Sequence, residues 1–373
     1  MNSTLNNDAM TSTSPTAFRP AAPLENLRRR ATLCRLLRAY FDSRGFIEVA
    51  TPTLSRDVIV DRFVEAIEVV VPRCWQEPDD HASQRFPDPE TARDKASTFY
   101  LQTSPEFAMK RLVAAGMTAI YQLAPAFRRG DRGERHNVEF TMLEWYRAGD
   151  GYRDGRALLA DLVENVARDF YAKTDVEAPP WSHHRTVERP FADVFGDATG
   201  LDPHVCTIAE LRRFADNRAI PYPESYAQPD SPATRDDWLD LIFSEAVQPN
   251  LGFDAPVTLY DYPATQSQLA QTSFVDEREV ARRFELFISG LELANGYDEL
   301  LDPKILRDRI AVVSEERACD GSPALPRESR LLAAMDASLP PCSGCALGVD
   351  RLLCALLGTT QIDDVIAFPI EFA

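Results

Sequence analysis

The sequence predicts an α+β fold, and three observations predict it. Two pairs of strand-like runs are joined through glycine-containing turns: Ala124–Arg128 with Val138–Tyr146, and Phe284–Ile288 with Leu291–Ala294. Long amphipathic helices accompany them. Leu24, Leu27, Ala31, Cys34, Leu37 and Phe41 recur at three- and four-residue steps, and Leu158, Leu162, Val166 and Phe170 mark a second helical face. A helix-to-strand junction from Gly45 to Leu54, closed by Pro52, links the first helix to extended chain. Composition alone fixes neither the number nor the order of the strands.

The 373 residues are 45% hydrophobic, enough for one large core or two domains. A net charge of −18 disfavours general nucleic-acid binding, whose affinity comes from neutralising phosphates, but leaves room for a local basic groove. No apolar run approaches the ~20 residues that span a bilayer. The N-terminus lacks the basic-then-apolar pattern of a secretory signal. Seven cysteines, an odd number scattered over a long chain, predict reduced thiols and a cytoplasmic protein. Cys342 and Cys345 are the only close pair. Without a second pair or a nearby histidine they read as small buried residues, not zinc ligands.

In chain order, residues 1–23 are rich in Ser, Thr, Asn and Pro and predict a disordered tail, and 24–373 predict one domain. Gly45 ends the first helix. Arg73–Ser97, polar and with three prolines, predicts a surface loop before a strand at Thr98–Gln102. Thr103–Leu112 opens a helix, with Ser104 as N-cap, Pro105 at the first position and Glu106 in the first turn. The chain turns helical again from Asp161. Trp181–Asp254 reads as short amphipathic helical segments among prolines and suggests no chemistry. Val257–Tyr262 predicts a strand.

Three stretches carry chemistry. Phe127 to Tyr146 reads F-R-R-G-D-R-G-E-R-H-N-V-E-F-T-M-L-E-W-Y. Arg128, Arg129, Arg132, Arg135 and His136 fall within nine positions at this hairpin tip, which suits a polyanion such as a triphosphate. A solvated tip is the plain alternative. Arg283 to Leu300 reads R-F-E-L-F-I-S-G-L-E-L-A-N-G-Y-D-E-L and puts Glu285 and Glu292 on the two arms of one hairpin. Alternation turns Glu292 to the face opposite Leu291 and Leu293. A carboxylate buried in a sheet needs a cation, and paired carboxylates with phosphate oxygens are a usual magnesium arrangement. Cys342 to Leu352 reads C-S-G-C-A-L-G-V-D-R-L before a leucine-rich helix. Gly344, Ala346 and Gly348 permit close approach to the backbone, and Arg351 starts the helix.

Taken in order, Gly45–Leu54, Phe127–Tyr146 and Cys342–Leu352 resemble motifs 1, 2 and 3 of class II aminoacyl-tRNA synthetases, in the version used by the lysyl enzymes. The resemblance runs from Leu24 to the C-terminus. It implies a mixed, mainly antiparallel sheet of six or seven strands flanked by helices, and a homodimer through motif 1. It implies ATP and Mg2+. Arg128 and Arg351 would be catalytic; Arg129, Gly130, Asn137, Phe140, Glu292, Leu293 and Gly348 would join them at the nucleotide. Glu285 and Glu292 would hold the metal. Ser104, Pro105, Glu106, Tyr146, Glu299 and Ala346 would bind the amino acid, with Glu106 and Glu299 at its amines. Two departures stand out. Gly130, followed by Asp131, stands where the family often has the glutamate that reads adenine, and Val138 stands where proline is common.

About 23 residues precede the domain, too few for the anticodon-binding barrel of lysyl-tRNA synthetases, so no such domain is expected. The chain therefore resembles the stand-alone paralogues that modify elongation factor P. Ala346, where lysyl-tRNA synthetases have glycine, is similar to paralogues that prefer (R)-β-lysine. This resemblance implies activation of lysine or (R)-β-lysine as an adenylate and transfer to a lysine ε-amine of elongation factor P. Neither tRNA nor a membrane is an expected partner. A minimal lysyl-tRNA synthetase and a silent paralogue that regulates a partner are the competing readings. An ammonia-using asparagine synthetase shares the fold but needs no lysine pocket.

Overall fold

The computed structural model describes residues 18–72, 96–228 and 233–373. The first helix, α1 (Leu24–Asp42), buries Leu33, Leu37 and Phe41 completely. Each such side chain contributes about 1.5–3 kcal/mol of transfer free energy. The chain then enters β1 (Ile47–Glu48). Three short strands, β2 (Leu54–Ser55), β3 (Glu68–Pro72) and β4 (Ala96–Leu101), make a small sheet in the order β2-β4-β3. Next come α2 (Glu106–Ala114), β5 (Ala119–Phe127), β6 (Glu139–Ala148) and α3 (Tyr152–Lys173). β7 (Val187–Pro190) leads into α4 (Phe191–Thr199), α5 (Ile208–Arg218) and α6 (Arg235–Ile242). The last third holds β8 (Val257–Pro263), β9 (Thr272–Val275), β10 (Arg278–Ile288) and β11 (Leu291–Asp298). Then α7 (Pro303–Cys319), α8 (Arg330–Ala337), β12 (Cys342–Gly348) and α9 (Val349–Leu357) follow.

The main sheet runs β1-β5-β6-β12-β11-β10-β8-β7, with β9 pairing β10. Its central six strands are antiparallel, and β1 and β7 add parallel edges. The mixed, mainly antiparallel sheet expected from the motifs is therefore present, with nine strands among the described residues instead of six or seven. Helices α1, α3 and α9 cover one face and bury Tyr121, Leu143, Trp145, Phe284, Leu286 and Leu347 with it. A second core packs α4, α5 and α6 against β8 and β10. A third gathers α2, α7 and α8.

Several boundaries shift. Helix α3 starts at Tyr152, ahead of the expected Asp161, because the Asp154 carboxylate accepts the Gly151 N–H at 3.0 Å and caps it. β10 and β11 are longer than the expected hairpin arms, since β9 extends the pairing at one end and β12 at the other. Their turn holds Ser289 and Gly290 at φ 51° and 74°, the conformation two-residue hairpins need. β4 begins at Ala96, two residues before the expected strand. The expected loop falls outside the described residues over 73–95, as does the expected tail over 1–17. Residues 18–23 are described: the Ala21 N–H donates to Ala367 O at 2.9 Å, and Ala22 is buried. Cys342 and Cys345 are buried and free, as expected. Among the described residues no helix is long and apolar enough to cross a membrane.

Candidate active site

The face of the sheet opposite α1, α3 and α9 opens into a cavity of about 710 Å³. Strand alternation decides what lines it. On β12, Ala346 lies level with Glu144 of β6 and Asn295 of β11, and Gly344 lies level with Tyr146 and Tyr297. These are the side chains the core face does not take.

One end of the cavity is basic. Arg128, Arg135, His136 and Arg351 all line it. Arg128 directly follows β5, its N–H donating to Val138 O at 2.9 Å across the hairpin. Its guanidinium sits 5.2 Å from the Phe140 ring centroid, and its buried Nε has no hydrogen-bond partner among the described residues. A buried donor without an acceptor is costly, and an anionic ligand would satisfy it. Arg351, in the first turn of α9, donates from Nη1 to Glu292 O at 3.1 Å. Its Nη2 lies 2.6 Å from His136 Nε2. Arginine can only donate, so His136 accepts there and is neutral. Partial burial and the Arg351 charge push its pKa below the ordinary value. Asp350 braces this end: it accepts the Thr141 N–H at 2.6 Å and pairs with Arg30 of α1 at 3.2 Å.

Of the expected nucleotide residues, Arg128, Asn137, Phe140, Glu292, Leu293, Gly348 and Arg351 line the cavity, and Arg129 and Gly130 do not. The Arg129 N–H is held by Glu65 O at 2.7 Å where the loop turns away, and Gly130 makes that turn at φ 85°. Arg132 is also diverted, to Asp363 at 2.8 Å and Glu371 at 2.6 Å in the C-terminal segment. Asn137 spends its amide on the chain itself, donating to Glu139 O at 2.7 Å in the hairpin and accepting from the Ile370 N–H at 3.2 Å in the C-terminal segment. Asp131, beside the missing adenine-reading glutamate, does line the cavity.

The expected metal pair divides. Glu292 faces the cavity. Glu285 is buried behind it, ion-paired with Arg283 and accepting from the Tyr262 hydroxyl at 2.6 Å. Burial raises its pKa to about 7, against the pull of Arg283. No cluster of three or more metal-ligating side chains is preassembled among the described residues. The donor set fits a magnesium ion that arrives with phosphate oxygens and takes Glu292 as its protein carboxylate. It fits less well an ion shared equally by both glutamates.

The other end is acidic and deeper. Ser104 and Glu106 line the cavity where α2 begins, and Ser104 Oγ accepts the Glu106 N–H at 3.0 Å. Pro105 is the helix N-cap in place of the expected Ser104, and it and Tyr146 stay behind the wall. Glu299 is not an exposed helix-start acid; it is buried beneath the cavity, bridged at the backbone to Ala270. Between Glu106 and Glu299 lies Lys110, its Nζ 2.5 Å from a carboxylate oxygen of each. Glu144 completes the group, accepting from Ser104 Oγ at 2.8 Å and from the Tyr146 hydroxyl at 2.5 Å. Burial first pushes both Glu144 and Glu299 up to about 8, and Glu106 adds to it in each case. Gly344 was expected to let a ligand approach; a Cβ there would overlap Glu299 and the Tyr146 ring, so the glycine makes room for the chain's own pocket.

Lys110 and Glu144 were missed from the sequence. Both had a signal: Lys110 lies one helical turn after Glu106, and Glu144 lies two strand positions before Tyr146, each on the same face as its neighbour.

This geometry is joined by sequence similarity over the whole chain. The family described as class II tRNA synthetases (D, K and N) matches residues 15–371. The chain belongs to that family. Three relatives share the name elongation factor P–(R)-β-lysine ligase. That of Klebsiella pneumoniae is 37% identical over 357 residues, 95% of this chain and 98% of its own. That of Pasteurella multocida is 39% identical over the same length and shares. That of Yersinia pestis is 37% identical over 358 residues, 96% of this chain and 98% of its own. The basic end is formed by the stretches that resemble motifs 2 and 3, and the acidic end lies beside them.

Proposed function

We propose that this protein activates lysine, in the form (R)-β-lysine, with ATP and transfers it to the ε-amine of a lysine on elongation factor P. The observation that carries the reading is the acidic pocket behind Ser104 and Glu106, built at one end of a cavity whose other end holds Arg128 and Arg351. The shared name of relatives aligned over almost the whole chain supplies the acceptor.

In the first step an oxygen of the amino acid's carboxylate attacks the α-phosphorus of ATP. A C(O)–O–P bond forms, the bond to the bridging oxygen breaks, and pyrophosphate leaves. A carboxylate is already a nucleophile, so positioning and charge neutralisation suffice. Arg128, with its unsatisfied Nε, holds the carboxylate and the α-phosphate. Arg351, Arg135 and His136 take the remaining phosphate oxygens. Magnesium bound at Glu292 would supply further neutralisation of the phosphates. In the second step the acceptor amine, as the free base, attacks the acyl carbon; the amide forms, AMP leaves with the bonding electrons, and the nitrogen's surplus proton passes to water. The mouth beside α7, with Ile305, Asp308 and Val312, offers an apolar and acidic path to a lysine side chain. Homodimerisation fits β1, an edge strand that leaves Ile47 exposed. Free cysteines fit the cytoplasm.

The test is label transfer with ATP, Mg2+ and labelled α-lysine or (R)-β-lysine, offering elongation factor P or tRNA as acceptor. Label on the factor, stronger with the β-isomer, is expected. Label on tRNA alone would make the protein a minimal synthetase, and label on neither, without ATP–pyrophosphate exchange, would make it a silent paralogue.

A further inference from the structure

Lys110 has no part in the chemistry above, yet its surroundings are unusual. It is 2% exposed and lies 5.9 Å from the Tyr146 ring centroid. Burial alone would lower its pKa; Glu106 and Glu299 override that and keep it charged. A Glu–Lys pair one helical turn apart is ordinarily a surface feature of small value. Here the lysine leaves the surface and reaches a second carboxylate, Glu299, that follows β11. The pocket thus holds three carboxyl groups, those of Glu106, Glu144 and Glu299, and one ammonium. Of the other polar groups around them, Ser104 Oγ and the Tyr146 hydroxyl donate to Glu144 without bringing charge, and Tyr297, Cys342 and Cys345 are neutral neighbours whose pKa values are raised, first of all by burial. Buried charges that lack partners are costly, so three carboxylates beside one lysine call for two more positive charges or for protons.

We propose that Lys110 is a specificity-determining positioning residue: by neutralising one of three buried carboxylates, it sets the pocket's demand at two positive charges. A diammonium amino acid meets that demand. A monoammonium amino acid of the same length leaves one carboxyl uncompensated. The inference rests on reading the cavity as a lysine-activating site.

The experiment measures ATP–pyrophosphate exchange with lysine and calorimetric binding of 1,5-diaminopentane and 1-aminopentane. Wild-type protein should bind the diamine at least about tenfold more tightly than the monoamine, one unmet charge being worth a pKa unit or more. Lys110→Met should raise the lysine KM about tenfold or more, with the ATP KM unchanged as the sign of an intact fold. Lys110→Met combined with Glu106→Gln restores the count, two carboxylates for two ammoniums, and should recover at least about a third of that loss. Lys110→Arg, which keeps the charge, should stay nearer to wild type than Lys110→Met. A double variant no better than the single, or equal binding of diamine and monoamine, overturns the proposal. If Lys110→Met does not fold, a double variant with a lysine KM more than about tenfold above that of Lys110→Arg overturns it as well. Absence of lysine-dependent exchange in the wild type would sink the functional reading instead, while the diamine comparison still decides the charge count.

Discussion

The amino acid should bind more tightly as pH rises from 6 to 8. Glu144 and Glu299 are pushed up to about 8, mainly by burial. In the empty pocket near pH 7 both are therefore largely protonated, and a substrate ammonium must displace those protons to gain its ion pairs. At pH 8 each is about half ionised; at pH 7 only about one molecule in eleven is ionised at either group. Affinity should fall about fivefold per carboxyl over that unit, or about thirtyfold if both must ionise. The assay is kcat/KM for lysine in ATP–pyrophosphate exchange between pH 6 and 8, which reports ionisations of the free enzyme. His136, already pushed below its ordinary value, stays neutral over the upper part of this range, so kcat/KM for ATP should vary less. Stability moves the opposite way. These carboxyls have folded-state values above their ordinary 4.5, so the stability they contribute is full below 4.5 and is lost as pH rises to about 8. The thermal stabilisation by bound lysine should accordingly grow with pH. A kcat/KM for lysine that is flat, or that falls, from pH 6 to 8 would refute the reasoning.

Three substitutions test the rest of the site. Glu299→Gln should raise the lysine KM about 10–100-fold, as expected for loss of a charged partner, and an unchanged KM in the exchange assay would remove Glu299 from the pocket. Arg351→Ala should lower the exchange rate about 10²–10³-fold by removing a donor aimed at developing charge, and normal exchange would exclude it. Gly344→Ala, whose methyl overlaps Glu299 and Tyr146, should raise the lysine KM while leaving the ATP KM alone; equal damage to both would show that the sheet itself had shifted.

The elements that were legible in the sequence are those whose cause is local. The apolar period of α1 and the glycine turns of the two hairpins act over a few residues, so they survive in one dimension. The start of α3 was not legible because Gly151 and Gly155 are poor helix formers by intrinsic propensity. In the structure Gly155 lets α3 press against β12, where a Cβ would collide with Ser343 and Phe284. The arginine cluster at the hairpin tip was legible as charge but not as direction. Arg128 and Arg135 turn into the cavity, and Arg132 turns out to carboxylates more than two hundred residues away in sequence. Glu285 likewise keeps its place on the hairpin but is claimed by Arg283 and Tyr262, a contact that alternation cannot reveal.

In the proposed function, the division of charge along the cavity lets one site both select and activate its substrate. The chain as a whole carries −18, yet its cavity ends in Arg128, Arg135 and Arg351 on one side. Glu106 lines the other, with Glu144, Glu299 and Lys110 buried behind it. An amino acid with two ammonium groups and one carboxylate has the complementary order of charges. Bound one way round, its ammonium groups meet Glu106, Glu144 and Glu299 and its carboxylate meets Arg128 beside the α-phosphate. Bound the other way, an ammonium would face three arginines and the carboxylate would be buried among carboxyls, which is costly on both counts. On the proposed function, the same field that recognises the side chain points the reacting oxygen at phosphorus, so substitutions in the acidic pocket should disturb orientation as well as affinity.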